Sequence, residues 1–90
     1  FVDVRTDDGN DASELFIKML QSLGARVLTR PTPSVTHIVF KSGLPSTLTK
    51  HKLYDDPKPF LVGVAWVVEC GEQRLHVDEN NFLVADEDVR

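Results

Sequence analysis

Apolar and polar positions change period several times along this 90-residue chain, and each period predicts an element. Phe1-Val2-Asp3-Val4-Arg5 has the residue types of a partly buried strand, and the turn-rich Thr6-Asp7-Asp8-Gly9-Asn10 closes it. Ala12, Leu15, Phe16, Met19, Leu20 and Leu23 then recur at the spacing of one helical face. They predict a helix over Asp11 to Leu23, with Asp11 and Glu14 in capping-box spacing and Gly24 as a left-handed stop. Arg26-Val27-Leu28-Thr29 predicts a short strand, broken by Pro31 and Pro33. Val35 to Phe40 predicts the next, and its unalternating Ile38-Val39-Phe40 run marks a central strand covered on both faces. The more polar stretch from Lys41 to Pro59 holds a short helix over Thr47 to Tyr54, capped by Ser46 or Thr47 and ended by Asp55-Asp56-Pro57.

The run Phe60-Leu61-Val62-Gly63-Val64-Ala65-Trp66-Val67-Val68-Glu69-Cys70 is too long for one strand and has no helical stripe throughout. Split at Gly63, it is a buried strand entering a buried helix, with Trp66 pinning helix to sheet. After Gly71, Leu75, Val77, Phe82 and Val84 are placed to pack back on the body. The order strand, helix, strand, strand, helix, strand, helix gives an α/β fold: one domain over residues 1–90, with a mostly parallel four-stranded sheet flanked by three helices. Trp66, Leu20 and Ile38 are its expected core.

Composition narrows the class. The chain is 41% hydrophobic and 27% charged, as in an ordinary globular protein, and no stretch nears the ~20 apolar residues of a membrane span. One cysteine, Cys70, excludes an internal disulfide and points to a reducing compartment. A net charge of -4 disfavours a broad nucleic-acid surface. The chain opens on Phe1, as an excised domain would.

Three segments, Leu23-Gly24-Ala25, Thr36-His37-Ile38-Val39 and Trp66-Val67-Val68-Glu69-Cys70, sit beside the predicted elements at separations that resemble the BRCT family over almost the whole chain. Val4 to Gly9, Phe40 to Gly43, Ser46-Thr47 and His76 to Glu79 are most similar to an amino-terminal BRCT domain within it. The resemblance implies sheet order 2-1-3-4, two helices on one face and the short middle helix on the other. It also implies a non-catalytic protein-interaction module of nuclear DNA-damage, cell-cycle or chromatin proteins, in many cases one that reads phosphoserine or phosphothreonine peptides. In such pockets a Ser or Thr ending the first strand, a neighbouring Gly amide and a Lys on the middle helix hold the phosphate.

Thr6, Gly9 and Lys50 are the matching candidates, with Lys52 and Lys41 as alternates. Ligands gather at the carboxyl ends of parallel strands and phosphate is favoured at helix N-termini, so the site has independent sense. Asp7 and Asp8 depart from the pattern by separating Thr6 from Gly9 and adding negative charge. The competing reading makes Thr6, Asp8 and Asp11 turn and cap residues and Lys50 a solvated one. Two further partners stay open: a phosphate-independent one, such as another BRCT domain, and DNA, which would need Arg26, Arg30, Lys50, Lys52 and Lys58 on one face.

The remaining chemistry is sparse. His37 is expected in a structural hydrogen bond, His51 and His76 on the surface, and Cys70 in the core. Dispersed histidines give no metal-ligand spacing, so no metal or other cofactor is expected. Asp78-Glu79 and Asp86-Glu87-Asp88 are expected as solvated acidic patches. Asp7 and Asp8 resemble the acidic pair of a receiver domain, but Phe40 leads to Lys41-Ser42-Gly43 without the third carboxylate, and no nucleophile elbow or Walker loop occurs.

Overall fold

Three short parallel strands carry the core. In the computed structural model they are β1 (Val2–Val4), β2 (His37–Lys41) and β3 (Phe60–Val62), interleaved with α1 (Ser13–Ser22), α2 (Pro45–Leu53) and α3 (Val64–Gln73). A 3-10 turn over Glu79–Asn81 follows. The structure describes residues 1–6, 8–30, 32–55 and 58–84, so Asp7, Pro31, Asp56-Pro57 and the Asp86-Glu87-Asp88 patch lie outside the described residues.

Alternation within the strands sorts side chains onto two faces. Val2, Val4, Val39 and Val62 point to one side, where Leu20 of α1 and Trp66, Val67 and Cys70 of α3 close over them. Ile38, Phe40 and Leu61 point to the other, joined by Val35 and partly buried Leu48 and Tyr54 around α2. β2 pairs with both neighbours and is central, as its apolar run predicts. All three expected core residues are buried, Leu20 and Trp66 on one face and Ile38 on the other.

The sheet is smaller than expected. Among the described residues its order is β1-β2-β3, and Arg26 to Thr29 forms no strand, so neither the fourth strand nor the order 2-1-3-4 is seen. Val27 still faces the α1/α3 core and Leu28 the α2 core, the straddling position of an edge strand. Its backbone stands off, because both residues line a cavity of about 640 Å³ together with Phe1, Val39 and Trp66. A four-residue segment that follows the Gly24 turn has few ladder bonds with which to close that gap.

Other boundaries shift for local reasons. α1 begins at Ser13, whose N–H donates to Asp11 Oδ1 at 2.9 Å, while Glu14 pairs with Lys18 instead of reaching back to complete the box. The core-facing side of α1 and its two ends keeps Ala12, Phe16, Met19, Leu20 and Leu23 of the predicted stripe and adds Ser13 and Ile17, while Leu15 is 64% exposed. Ser13 widens that side toward β1: its hydroxyl donates to Val4 O at 3.3 Å and accepts from Val4 N–H at 3.0 Å, which satisfies a polar side chain in the core. Gly24 (φ 90°) does stop the helix, with Ala25 N–H returning to Leu20 O. α3 runs past Gly71 to Gln73 and ends at left-handed Arg74. Gly71 is a contact residue, since a Cβ there would lie 3.3 Å from Met19 Cε of α1.

Val77 and Phe82 pack on the α1/α3 core and Val84 on the α2 core, while Leu75 is exposed. The tail also bonds to β3, through Gly63 N–H to Phe82 O, Val84 N–H to Leu61 O and an antiparallel Val62–Leu83 bridge.

Candidate functional site

Where β1 and β2 end, a carboxylate is buried. Asp3 alternates onto the α2 face of β1 and is 6% exposed. Its Oδ2 accepts from Leu44 N–H at 2.8 Å and from the Thr47 hydroxyl at 2.7 Å, and Arg5 Nε stands 3.5 Å from Oδ1. α2 starts with Pro45, and its N-cap residue, Leu44, has no side-chain acceptor. Asp3 supplies from the sheet the negative group that a helix N-terminus favours. Ser46 and Thr47 are not the cap: Thr47 lies inside the helix and gives its hydroxyl to Asp3. Gly43 is required for this approach, because a Cβ there would overlap the Asp3 carboxylate.

The Thr6–Gly9 loop closes on itself beside this carboxylate. Gly9 N–H donates to Thr6 O, Thr6 N–H to Asn10 O, both at 2.9 Å, and Asn10 N–H to Thr6 Oγ1 at 3.3 Å. Gly9 takes a φ of 84°, and Arg5 Nη1 donates to Gly9 O at 3.2 Å. The loop therefore brings Thr6 and Gly9 together and adds Arg5, a cation that sequence reading missed. Lys50 lies elsewhere. It lines a depression with Val35, Leu53, Tyr54, Lys58 and Phe60, near the start of β2 and β3, whereas Thr6 and Gly9 follow the end of β1. Arg26 lines the other cavity, so the basic residues are not all on one face.

At the start of β2 a second polar cluster covers Trp66. The His37 ring stacks on the Trp66 ring at 4.9 Å and 11°, and Trp66 Nε1 donates to Val77 O at 2.9 Å. Glu79 Oε2 lies 2.5 Å from His37 Nε2 and 2.7 Å from His76 Nε2. An ionised carboxylate only accepts, so both ring nitrogens donate. Burial pushes the Glu79 carboxyl up, but the hydrogen bonds from His37 and His76 outweigh it and leave a pKa of about 2. His37 thus has its expected structural bonds, and His76 is exposed as expected. Glu79 is not a solvated patch, since only 12% of its side chain is exposed. His51 is half-buried, with Nε2 3.0 Å from Pro59 O, and not a surface residue.

Two signals in the sequence pointed toward what was missed. An Asp inside an apolar strand, Val2-Asp3-Val4, needs partners when buried. His76 and Glu79 stand three residues apart, a spacing that a single turn brings together. Nothing local links either to His37.

The model of the BRCA1 C Terminus (BRCT) domain matches residues 1–70, which hold all three strands and most of α3. Microcephalin of Homo sapiens and of Macaca fascicularis are each 33% identical over 87 residues, covering 96% of this chain, and microcephalin of Mus musculus is 34% identical over 89 residues. The chain spans 10% of the length of these relatives. A parallel sheet between an α1/α3 layer and a lone α2, together with these matches, shows that the chain belongs to the BRCT domain family.

Proposed function

We propose that this domain is a non-catalytic protein-interaction module of a nuclear DNA-damage, cell-cycle or chromatin protein and that it holds its partner without a phosphate. The observation that supports the second half is Asp3. The Leu44 amide and Thr47 hydroxyl at the start of α2, which could draw an anion there, already bind this carboxylate, and Asp8 adds exposed negative charge in the adjoining loop. The depression beside α2 suits a partner surface that is apolar with a polar rim, because Val35, Leu53, Tyr54 and Phe60 line it together with the charged Lys50, Asp55 and Lys58. Another BRCT domain is one such partner.

A second reading, in which Thr6, Gly9 and Lys50 hold a phosphopeptide, has one observation in its favour. Arg5 brings a guanidinium to Gly9 O while its buried Nε has no hydrogen-bond partner. Binding of a degenerate peptide library with a fixed phosphoserine, against the same library with serine, separates the two. Phosphate-independent docking gives equal retention of both. Selective retention of the phosphorylated library, lost in Thr6→Ala and Lys50→Met, would establish the second reading instead.

A further inference from the structure

The geometry points to a transition-metal site at His37, His76 and Glu79, with Zn²⁺ as the ion it would take. Three side chains from β2, the loop after α3 and the 3-10 turn present His37 Nε2, His76 Nε2 and Glu79 Oε2 within 4.8 Å of one another. Two imidazoles and a carboxylate are a donor set that zinc accepts, with bonds of about 2.0–2.2 Å and ligand atoms about 3.4 Å apart around a tetrahedral ion. The two contacts to Glu79, at 2.5 and 2.7 Å, are closer than that, so loading must open the cluster slightly. His76 can supply the movement: its side chain is 64% exposed and lies outside any helix or strand. The same exposure leaves room for water as a fourth ligand.

Two features hold the other donors in place. His37 is stacked on Trp66, and its Nδ1 lies 2.8 Å from Thr36 Oγ1. With Nε2–H donating to Glu79, a neutral His37 ring has Nδ1 free to accept from the Thr36 hydroxyl. With zinc on Nε2 the proton moves to Nδ1 and Thr36 Oγ1 accepts it, the outer hydrogen bond that orients a ligating histidine.

The chain carries its own reporters. Trp66 is the only tryptophan, and its ring lies 4.9 Å from His37 and 5.8 Å from His76. His51, the remaining histidine, is an internal control. Zinc chloride titrated into the domain at neutral pH is expected to give one saturable site by calorimetry. Imidazole nitrogen signals of His37 and His76 should shift while that of His51 stays, and copper(II) should quench Trp66 fluorescence. His76→Ala should fold normally and weaken zinc binding at least ~10-fold, scaled to the 10–100-fold losses seen even for outer-shell partners. Glu79→Gln should do the same. Absence of a saturable site, or unchanged affinity in folded His76→Ala, would overturn the assignment.

Discussion

Among the described residues, buried Asp3 and mostly covered Glu79 are two carboxylates satisfied in different ways. Asp3, where β1 and β2 end, is held by a backbone amide, a hydroxyl and a guanidinium, which are donors only to it or to neighbouring backbone and not metal ligands. Glu79, beside the start of β2, is held by two imidazoles, side chains that can also ligate a metal ion. The first is closed on all sides by α2 and Gly43, and the second lies under an exposed histidine. One is built as an internal cap and the other as a set of donors that an ion can enter. The contrast places the adaptable chemistry of this fold at the aromatic cluster, away from the strand ends where ligands of parallel sheets usually gather.

The largest effect should come from removing the platform under the second cluster. Trp66→Ala empties the contact between α3, His37 and Val77 and is expected to cost about 3–5 kcal/mol in denaturant unfolding, enough to unfold so small a domain. Unchanged stability would mean that the ring is not a core element.

Next comes the cap. Asp3→Ala leaves Leu44 N–H and the Thr47 hydroxyl without their charged acceptor and should cost about 2–3 kcal/mol by the same measurement. Gly43→Ala forces a methyl against the Asp3 carboxylate and should cost about 1–3 kcal/mol. With Asp3 also replaced by alanine the clash is gone, so the double variant should lose clearly less than the sum. Additive losses would show that Gly43 does not meet Asp3.

The pH dependence separates the two carboxylates more finely. The folded Glu79 carboxyl titrates near 2, below the ordinary value of 4.5, so its contribution is fully present above 4.5 and disappears as pH falls from 4.5 toward 2. Glu79→Gln should flatten that portion of the stability curve, whereas Leu15→Ala, on an exposed side chain, should leave curve and stability unchanged within about 0.5 kcal/mol. Parallel acid limbs for the wild-type and Glu79→Gln proteins would contradict the assignment of the low pKa.

How far these features were legible follows the range of the interactions behind them. Period identified β2 as central and α3 as a buried helix because both signals are local and repeated. It misplaced Leu15, which lies five residues before Leu20 and at ~100° per residue faces almost away from it. A serine on the buried face could not be read as core without seeing Val4 opposite it. The segment from Arg26 to Thr29 has strand composition and the straddling burial of a strand, but pairing depends on whether the chain between Gly24 and Pro33 can close on β1. At the candidate site, Thr6 and Gly9 were found together because they share one loop. Asp3 meets Leu44 and Thr47 across 41 and 44 positions, and His37 meets Glu79 across 42, distances at which spacing carries no signal.

The claim that the strand-end site is closed to phosphate is tested most directly by following backbone amide signals during titration with free phosphoserine. The account predicts no saturable shift at Thr6, Gly9 or Leu44, because Asp3 and the loop already occupy the groups a phosphate would need. Saturable shifts at those three amides that disappear in Thr6→Ala would contradict it.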